Sequence, residues 1–283
     1  MTHRTKLLTD LSPSALVEAI QENEVAFWLY RIRVADWQLY EDDELTWYVS
    51  GRDEPMDNGV LRTRLTSERA GARINTMRAY FDERGLPFVW WGGPARSPAD
   101  LSARLEAAGF ASEGDDPGMA ADLHALREDL EVPPGVTIER VATHADLADW
   151  VSALRVGNGG LPLGGPLESE RIPLSAPESY AASDPYRLYL ARHNGKPVAT
   201  SAVQLGAGVA GLYCVATVPS ARRQGIASAV VLAGLHEARA EGYRVGVLGS
   251  SRMGYGVYQR LGFQQYCILT SHTYEPSQGD LAL

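Results

Sequence analysis

The chain has 283 residues, 45% of them hydrophobic and 22% charged, with a formal net charge of −9, and its length suits two cores better than one. The acidic balance argues against a general nucleic-acid binder, whose phosphate contacts need a basic face, and no run reaches the ~18 apolar residues of a membrane-spanning helix. Met1 to Asp10 carry charges and hydroxyls but no apolar run, so no secretory leader is expected and a cytoplasmic protein is.

In chain order, the first part alternates helix and strand signals, ending in a strand over Pro87 to Trp91, an irregular Gly/Pro turn, a helix over Ala99 to Ala108, and Gly109-Phe110. Trp28, Trp37, Trp47, Trp90 and Trp91 suit a core, with a pocket lining as the alternative. Val132-Pro133-Pro134-Gly135 interrupts regular structure and divides the chain into 1–132 and 133–283. A strand follows over Val136 to Val141. Thr143 and Asp146 then form a capping box before a helix with Leu147, Trp150, Val151 and Leu154 on its apolar face.

Gly157 to Asp184, with Glu168, Glu170 and Glu178, is irregular. It is either a lid over a site or a plain connection. Asn194-Gly195 between the apolar runs Tyr186 to Arg192 and Pro197 to Leu205 predicts a hairpin, and a third strand follows over Val209 to Val218. A helix over Gly225 to Glu241 stops at Gly242, then come a strand over Tyr243 to Leu248, a short helix over Met253 to Leu261, Gly262-Phe263 and a last strand over Gln265 to Thr273. This order repeats the strand, turn, helix and Gly-Phe of the first half, suggesting two copies of one fold. The class is α/β (α+β), a mixed, mostly antiparallel sheet flanked by helices. Cys214 and Cys267 lie in strand-like runs and are expected as free, buried thiols.

The chemistry concentrates where a strand ends at Pro219 and a turn with Arg222, Arg223 and Gly225 leads into a helix. Converging backbone N–H groups and the unpaired amides of a helix start make a phosphate cradle, to which the arginines add charge. Gly225 permits close backbone approach and Ala227 leaves no bulky side chain in the way. Neither a Walker loop nor a G-x-G-x-x-G follows a strand. The six histidines and two cysteines show no metal-ligand spacing, so no metal is expected. Gly249-Ser250-Ser251-Arg252-Met253 misses the G-x-S-x-G elbow of serine hydrolases, and no acid lies between Ser251 and His272.

R-x-x-G-x-A over Arg222 to Ala227, followed by Ser251 to Tyr258 and Y-x-x-L-G-F over Tyr258 to Phe263, resembles the two signatures of the GNAT superfamily of acyl-CoA N-acyltransferases. The resemblance spans about Val136 to Tyr274. It implies an acyl-CoA N-acyltransferase fold, with 133–283 binding acetyl-CoA or another acyl-CoA and 1–132 a degenerate copy lacking both signatures. By the same resemblance, the backbone of Val215, Ala216 and Thr217 would pair with the pantetheine and polarise the thioester. Arg222 would contribute to the phosphate site, and the amides of Arg223, Gln224, Gly225, Ile226, Ala227 and Ser228 would hold the pyrophosphate. Ser251 would touch the pantetheine or cap the helix, and Tyr258 would protonate the leaving thiolate, a phenol near ~10 and a thiol near ~8.5 being close enough for transfer. Leu105 stands where a first-half Tyr258 would be. The implied reaction is direct transfer, through a tetrahedral intermediate, to the amine of a small molecule, by a monomer or homodimer. An acyl-CoA sensor without turnover, transfer to a hydroxyl or carrier-protein thiol, and thioester hydrolysis are the alternatives. A fragment from about Val132 onward is expected to bind acetyl-CoA by itself.

Overall fold

Asn194 and Gly195 both take positive φ (50° and 78°) and join strands β7 (Tyr186–His193) and β8 (Lys196–Gly206) as a tight hairpin, the turn that Asn-Gly favours. The computed structural model describes residues 6–126, 132–160 and 184–276. The irregular acidic stretch with Glu168, Glu170 and Glu178 therefore lies outside the described residues. Contact density divides the chain into two units.

The first unit contains the described residues up to Tyr30 and most of Pro117–Tyr266. Its sheet runs β6 (Val136–Arg140), β7, β8 and β9 (Val209–Thr217), all antiparallel; β10 (Val245–Gly249) then pairs parallel with β9. The far edge of β10 is covered by Gly118–Asp122 of β5 (Ala111–Asp122). The capping box forms as expected: Thr143 Oγ1 accepts the Asp146 N–H, and Asp146 accepts the Thr143 N–H. It opens α4 (His144–Gly157), which buries Leu147, Trp150, Val151 and Leu154. Helix α5 (Ile226–Ala240) buries Ile226, Val230, Val231 and Leu235, and α6 (Tyr255–Leu261) closes at Gly262 with φ 102°.

Helix α1 (Pro13–Val34) begins in this unit. Asn23 on it donates to the carbonyls of Gln204 and Gly206 and accepts from the Tyr213 hydroxyl at 2.9 Å. Gly211 has no room for a Cβ because Asn23 Oδ1 occupies that space. Phe27 stacks on Tyr213 at 4.1 Å, and the Leu8 N–H donates to the Gly208 carbonyl.

The second unit contains Arg31–Asp116 and continues from Cys267. Its sheet runs β1 (Gln38–Glu41), β2 (Leu45–Val49) and β3 (Asn58–Thr63), antiparallel; β4 (Phe88–Gly92) then pairs parallel with β3. The far edge of β4 is covered by Thr270–Tyr274 of β11 (Gln264–Tyr274). Helix α2 (Ser67–Asp82) connects β3 to β4, and α3 (Leu101–Ala107) follows β4. Phe81, Phe88, Trp90 and Leu105 lie in its core.

Each unit thus has an antiparallel meander, a crossover helix, a parallel strand and a short helix. The two short helices end alike. Phe110 N–H donates to the Leu105 carbonyl and Phe263 N–H to the Tyr258 carbonyl, each after a glycine of positive φ, the closure of a glycine-capped helix end. The two halves are copies of one fold.

A cut between 132 and 133 does not follow these units. The strand after α3 ends on β10, and the strand after α6 ends on β4. Each half therefore supplies the strand that covers the other half's last open edge, and a sequence-local reading assigns these strands to the wrong core. Arg62 lies on β3, while Arg69, Arg73 and Arg78 are on α2. Trp28 and Trp90 are core residues. Both cysteines are free, but Cys214 is only half-buried.

Candidate acyl-coenzyme site

β9 pairs with β10 only over Ala210–Leu212. Beyond that point its register on β8 slips, so that Thr200 faces Ala216 while Ala202 faces Tyr213. The extra residue makes a β-bulge with Cys214 at φ 52°, and a bulge bends a strand and re-aims its groups. The split leaves Tyr213–Thr217 with an edge unpaired by β10, where an extended ligand could add main-chain hydrogen bonds. Val215, Ala216 and Thr217 all lie on this stretch. No candidate signal in the sequence marks the bulge, because cysteine is not a turn residue.

Past β9, the backbone turns through Arg223 (φ 61°) and Gly225 (φ 82°) into α5. Among the described residues, a Cβ at Gly225 would meet only Pro133 Cγ, at 3.8 Å. The left-handed backbone, rather than lack of space, is what favours glycine there. No side chain caps α5 and no acid stands in its first turn, so the amides of Ile226, Ala227 and Ser228 lack intrahelical acceptors and form a positive helix end. Arg223, Gln224 and Gly225 are exposed, and the Gln224 side chain donates to the Ser220 carbonyl. The Ile226 side chain is core; only its amide faces the helix end.

Arg222 also makes two contacts to the backbone. Its Nε donates to the Thr217 carbonyl at 3.0 Å and its Nη2 to the Gly157 carbonyl at 2.8 Å. It ties the end of the bulged strand to the C-terminus of α4, where a cation offsets the helix dipole. The exposed charge of the turn is that of Arg223. Ser251 Oγ accepts the Gly254 N–H at 3.2 Å, in the turn just before α6.

Tyr258 packs over Gly254, and its ring belongs to the same apolar cluster against which Val215 packs. The ring is buried, and burial pushes the phenol pKa up to about 12. This widens the gap to a thiol near ~8.5. Complete proton transfer to a thiolate is then uphill, and the phenol is better suited to donating a hydrogen bond.

The second unit fills the equivalent features with its own chain. There β3 also carries a register slip, between Thr46 and Trp47 of its partner strand, and pairs with β4 only at Gly59 and Val60. The remaining edge is taken by residues 96–98: Ser97 N–H donates to the Thr63 carbonyl, and Leu65 N–H to the Ser97 carbonyl. Trp90 Nε1 donates to Thr63 Oγ1 at 2.8 Å. At the start of α2, the Glu68 carboxylate accepts its own backbone N–H and a hydrogen bond from Thr66, which hold its pKa below the ordinary value. Glu68 thus puts a carboxylate in the first turn of α2, where α5 has none.

Residues 163–263 match the family model described as "Acetyltransferase (GNAT) family". That segment is similar to the GNAT acetyltransferases. Among solved structures, it resembles a GCN5-related N-acetyltransferase from Kribbella flavida at 18% identity, covering 92% of this chain and 97% of that one with a TM-score of 0.66. A GCN5-related N-acetyltransferase from Sphaerobacter thermophilus is likewise 18% identical, over 98% and 96% of the two chains, with a TM-score of 0.62. A tandem GNAT protein from the clavulanic acid biosynthesis pathway, described without AcCoA, is 14% identical over 96% and 97%, with a TM-score of 0.61. No curated protein matches the sequence significantly. These likenesses extend the GNAT fold to both halves in tandem. Among the described residues no helix is long and apolar enough to cross a membrane and no acid, histidine or cysteine group could hold a metal ion.

Proposed function

We propose that the protein transfers an acyl group, acetyl in the first instance, from coenzyme A to the amine of a small molecule, using the unit that contains β9, β10 and α5. One observation carries this proposal: among the described residues, β10 leaves the edge of β9 beyond Leu212 unpaired and the first turn of α5 holds no acid, whereas in the other unit Ser97 pairs with the corresponding edge and Glu68 stands in the first turn of α2. When bound, the coenzyme supplies the acyl group as an activated thioester. Val215, Ala216 and Thr217 would hold the pantetheine arm through their backbone, and the amides from Arg223 to Ser228 the pyrophosphate, with charge from Arg223. A backbone N–H of the Val215–Thr217 stretch would face the thioester oxygen, where a fixed donor stabilises developing negative charge. Tyr258 would donate to the departing sulfur.

Titration calorimetry of the full chain with acetyl-CoA is expected to give one site per chain; two sites of similar affinity would refute the assignment of a closed copy. Thiol release in a screen of small amines should depend on the amine. Release that is equally fast without any acceptor would point to hydrolysis, and binding without release to a sensor.

Tyr258→Phe keeps almost all of the ring's buried area and removes only the donor. Its kcat should fall by ~10-fold or more, toward the lower part of the range for general acids, with acetyl-CoA affinity unchanged. Because burial raises the phenol pKa to about 12, Tyr258 stays a neutral donor as pH rises through the ordinary tyrosine value. The rate profile should therefore show no tyrosine limb below pH ~10. A wild-type single-turnover rate in the variant would leave Tyr258 a packing residue.

A further inference from the structure

The bulge that opens the candidate site is fastened by one buried hydroxyl. Thr200 on β8 is fully buried, and its Oγ1 donates to the Cys214 carbonyl at 2.8 Å. In a strand without a bulge that carbonyl would belong to the backbone ladder; here a side chain takes it, next to the residue with φ 52°. A trans peptide sets its C=O and N–H in opposite directions. A Cys214 carbonyl turned toward Thr200 therefore turns the Val215 N–H away from it. β10 flanks the other edge of β9, and its pairing has already ended at Leu212.

We infer that Thr200 is a positioning residue for acyl transfer, holding the Cys214–Val215 peptide so that the Val215 N–H faces the thioester oxygen. This rests on the proposed acyltransferase function. Thr200 itself touches no reacting atom. It acts through the peptide plane, which could otherwise rotate to bring Cys214 into an ordinary strand conformation and swing the N–H out of line. Threonine suits the position because its branched Cβ fits a strand and its hydroxyl reaches the bulge carbonyl across the step. Valine has nearly the same shape without the donor.

The test follows the carbonyl stretch of acetyl-CoA labelled with 13C at the acetyl carbonyl, by difference infrared spectroscopy, bound to the wild type, Thr200→Val and Thr200→Ser. No acceptor is needed. The wild type is expected to shift the band to lower frequency, Thr200→Val to lose much of that shift while still binding the coenzyme, and Thr200→Ser to restore it. With an amine from the screen, kcat should drop ~10–100-fold in Thr200→Val, less than the full loss of an oxyanion donor, while KM for acetyl-CoA stays within ~3-fold and Thr200→Ser recovers most of the rate. A Thr200→Val protein with the wild-type shift and rate would overturn the role of Thr200. A wild type that binds acetyl-CoA with no shift, or does not bind it, would instead overturn the acyl-transfer proposal beneath it, before any substitution is made. Should Thr200→Val fail to fold, Thr200→Ala against Thr200→Ser under the same infrared readout decides between the same outcomes.

Discussion

A fragment beginning at residue 133 is expected not to fold. In the full chain, β10 is buried between β9 and Gly118–Asp122, with Val247 and Leu248 1% and 3% exposed. The cut removes that antiparallel partner and takes Met119, Leu123 and Leu126 out of the core cluster. It also removes the α1 residues Asn23 and Phe27, which cover Gly211 and Tyr213. Burial of each large apolar side chain is worth ~1.5–3 kcal/mol, so losing Met119, Leu123, Leu126 and Phe27 alone costs on the order of 6–12 kcal/mol, comparable with the ~5–15 kcal/mol that holds a typical domain together. The newly bared edge of β10 would also template aggregation. Circular dichroism without a cooperative thermal transition, or elution as aggregate, is the expected result. A monodisperse fragment that melts cooperatively and binds acetyl-CoA like the whole chain would show that neither β5 nor α1 is needed.

Gly225→Glu is expected to weaken acetyl-CoA binding by ~100-fold or more. The substitution places a carboxylate beside the start of α5, where its charge would compete with a phosphate for the helix amides. Loss of two charge-assisted hydrogen bonds, at ~1.5–3 kcal/mol each, corresponds to ~10²–10⁴ in affinity. The left-handed backbone at φ 82° adds ~1–2 kcal/mol of strain for any L side chain, so Gly225→Ala is the needed control. Alanine meets no clash there. It should lower Tm by a few degrees but leave most of the affinity, whereas Gly225→Glu should lose both. Equal affinity of the glutamate variant and the wild type in calorimetry would remove the α5 start from the phosphate site.

Local chemistry in the sequence determined much of this protein. Asn194-Gly195 specified its hairpin, Thr143 and Asp146 their capping box, and Gly109 and Gly262 the ends of the two short helices, because a turn or a cap depends on residues a few positions apart. The Arg222 to Ala227 turn and its distance from Tyr258 carried the resemblance to the GNAT superfamily for the same reason: amides that converge at a helix start need only a glycine and a short turn. What the sequence could not carry is pairing between residues far apart. The exchange of β5 and β11 depends on which open edge each strand meets, and an edge has no signature in the strand that will cover it. Arg222 was legible as a charge near a phosphate turn, yet its partners are the carbonyls of Thr217 and Gly157, brought together only when α4 lies against β9. Ser97 fills the edge of β3 through backbone hydrogen bonds that any residue could make. The Tyr258 phenol owes its raised pKa to the apolar residues folded around it, and the hydroxyl of Thr200 meets the Cys214 carbonyl across two strands. In each case the deciding quantity is a distance between non-neighbours, which only the tertiary structure sets.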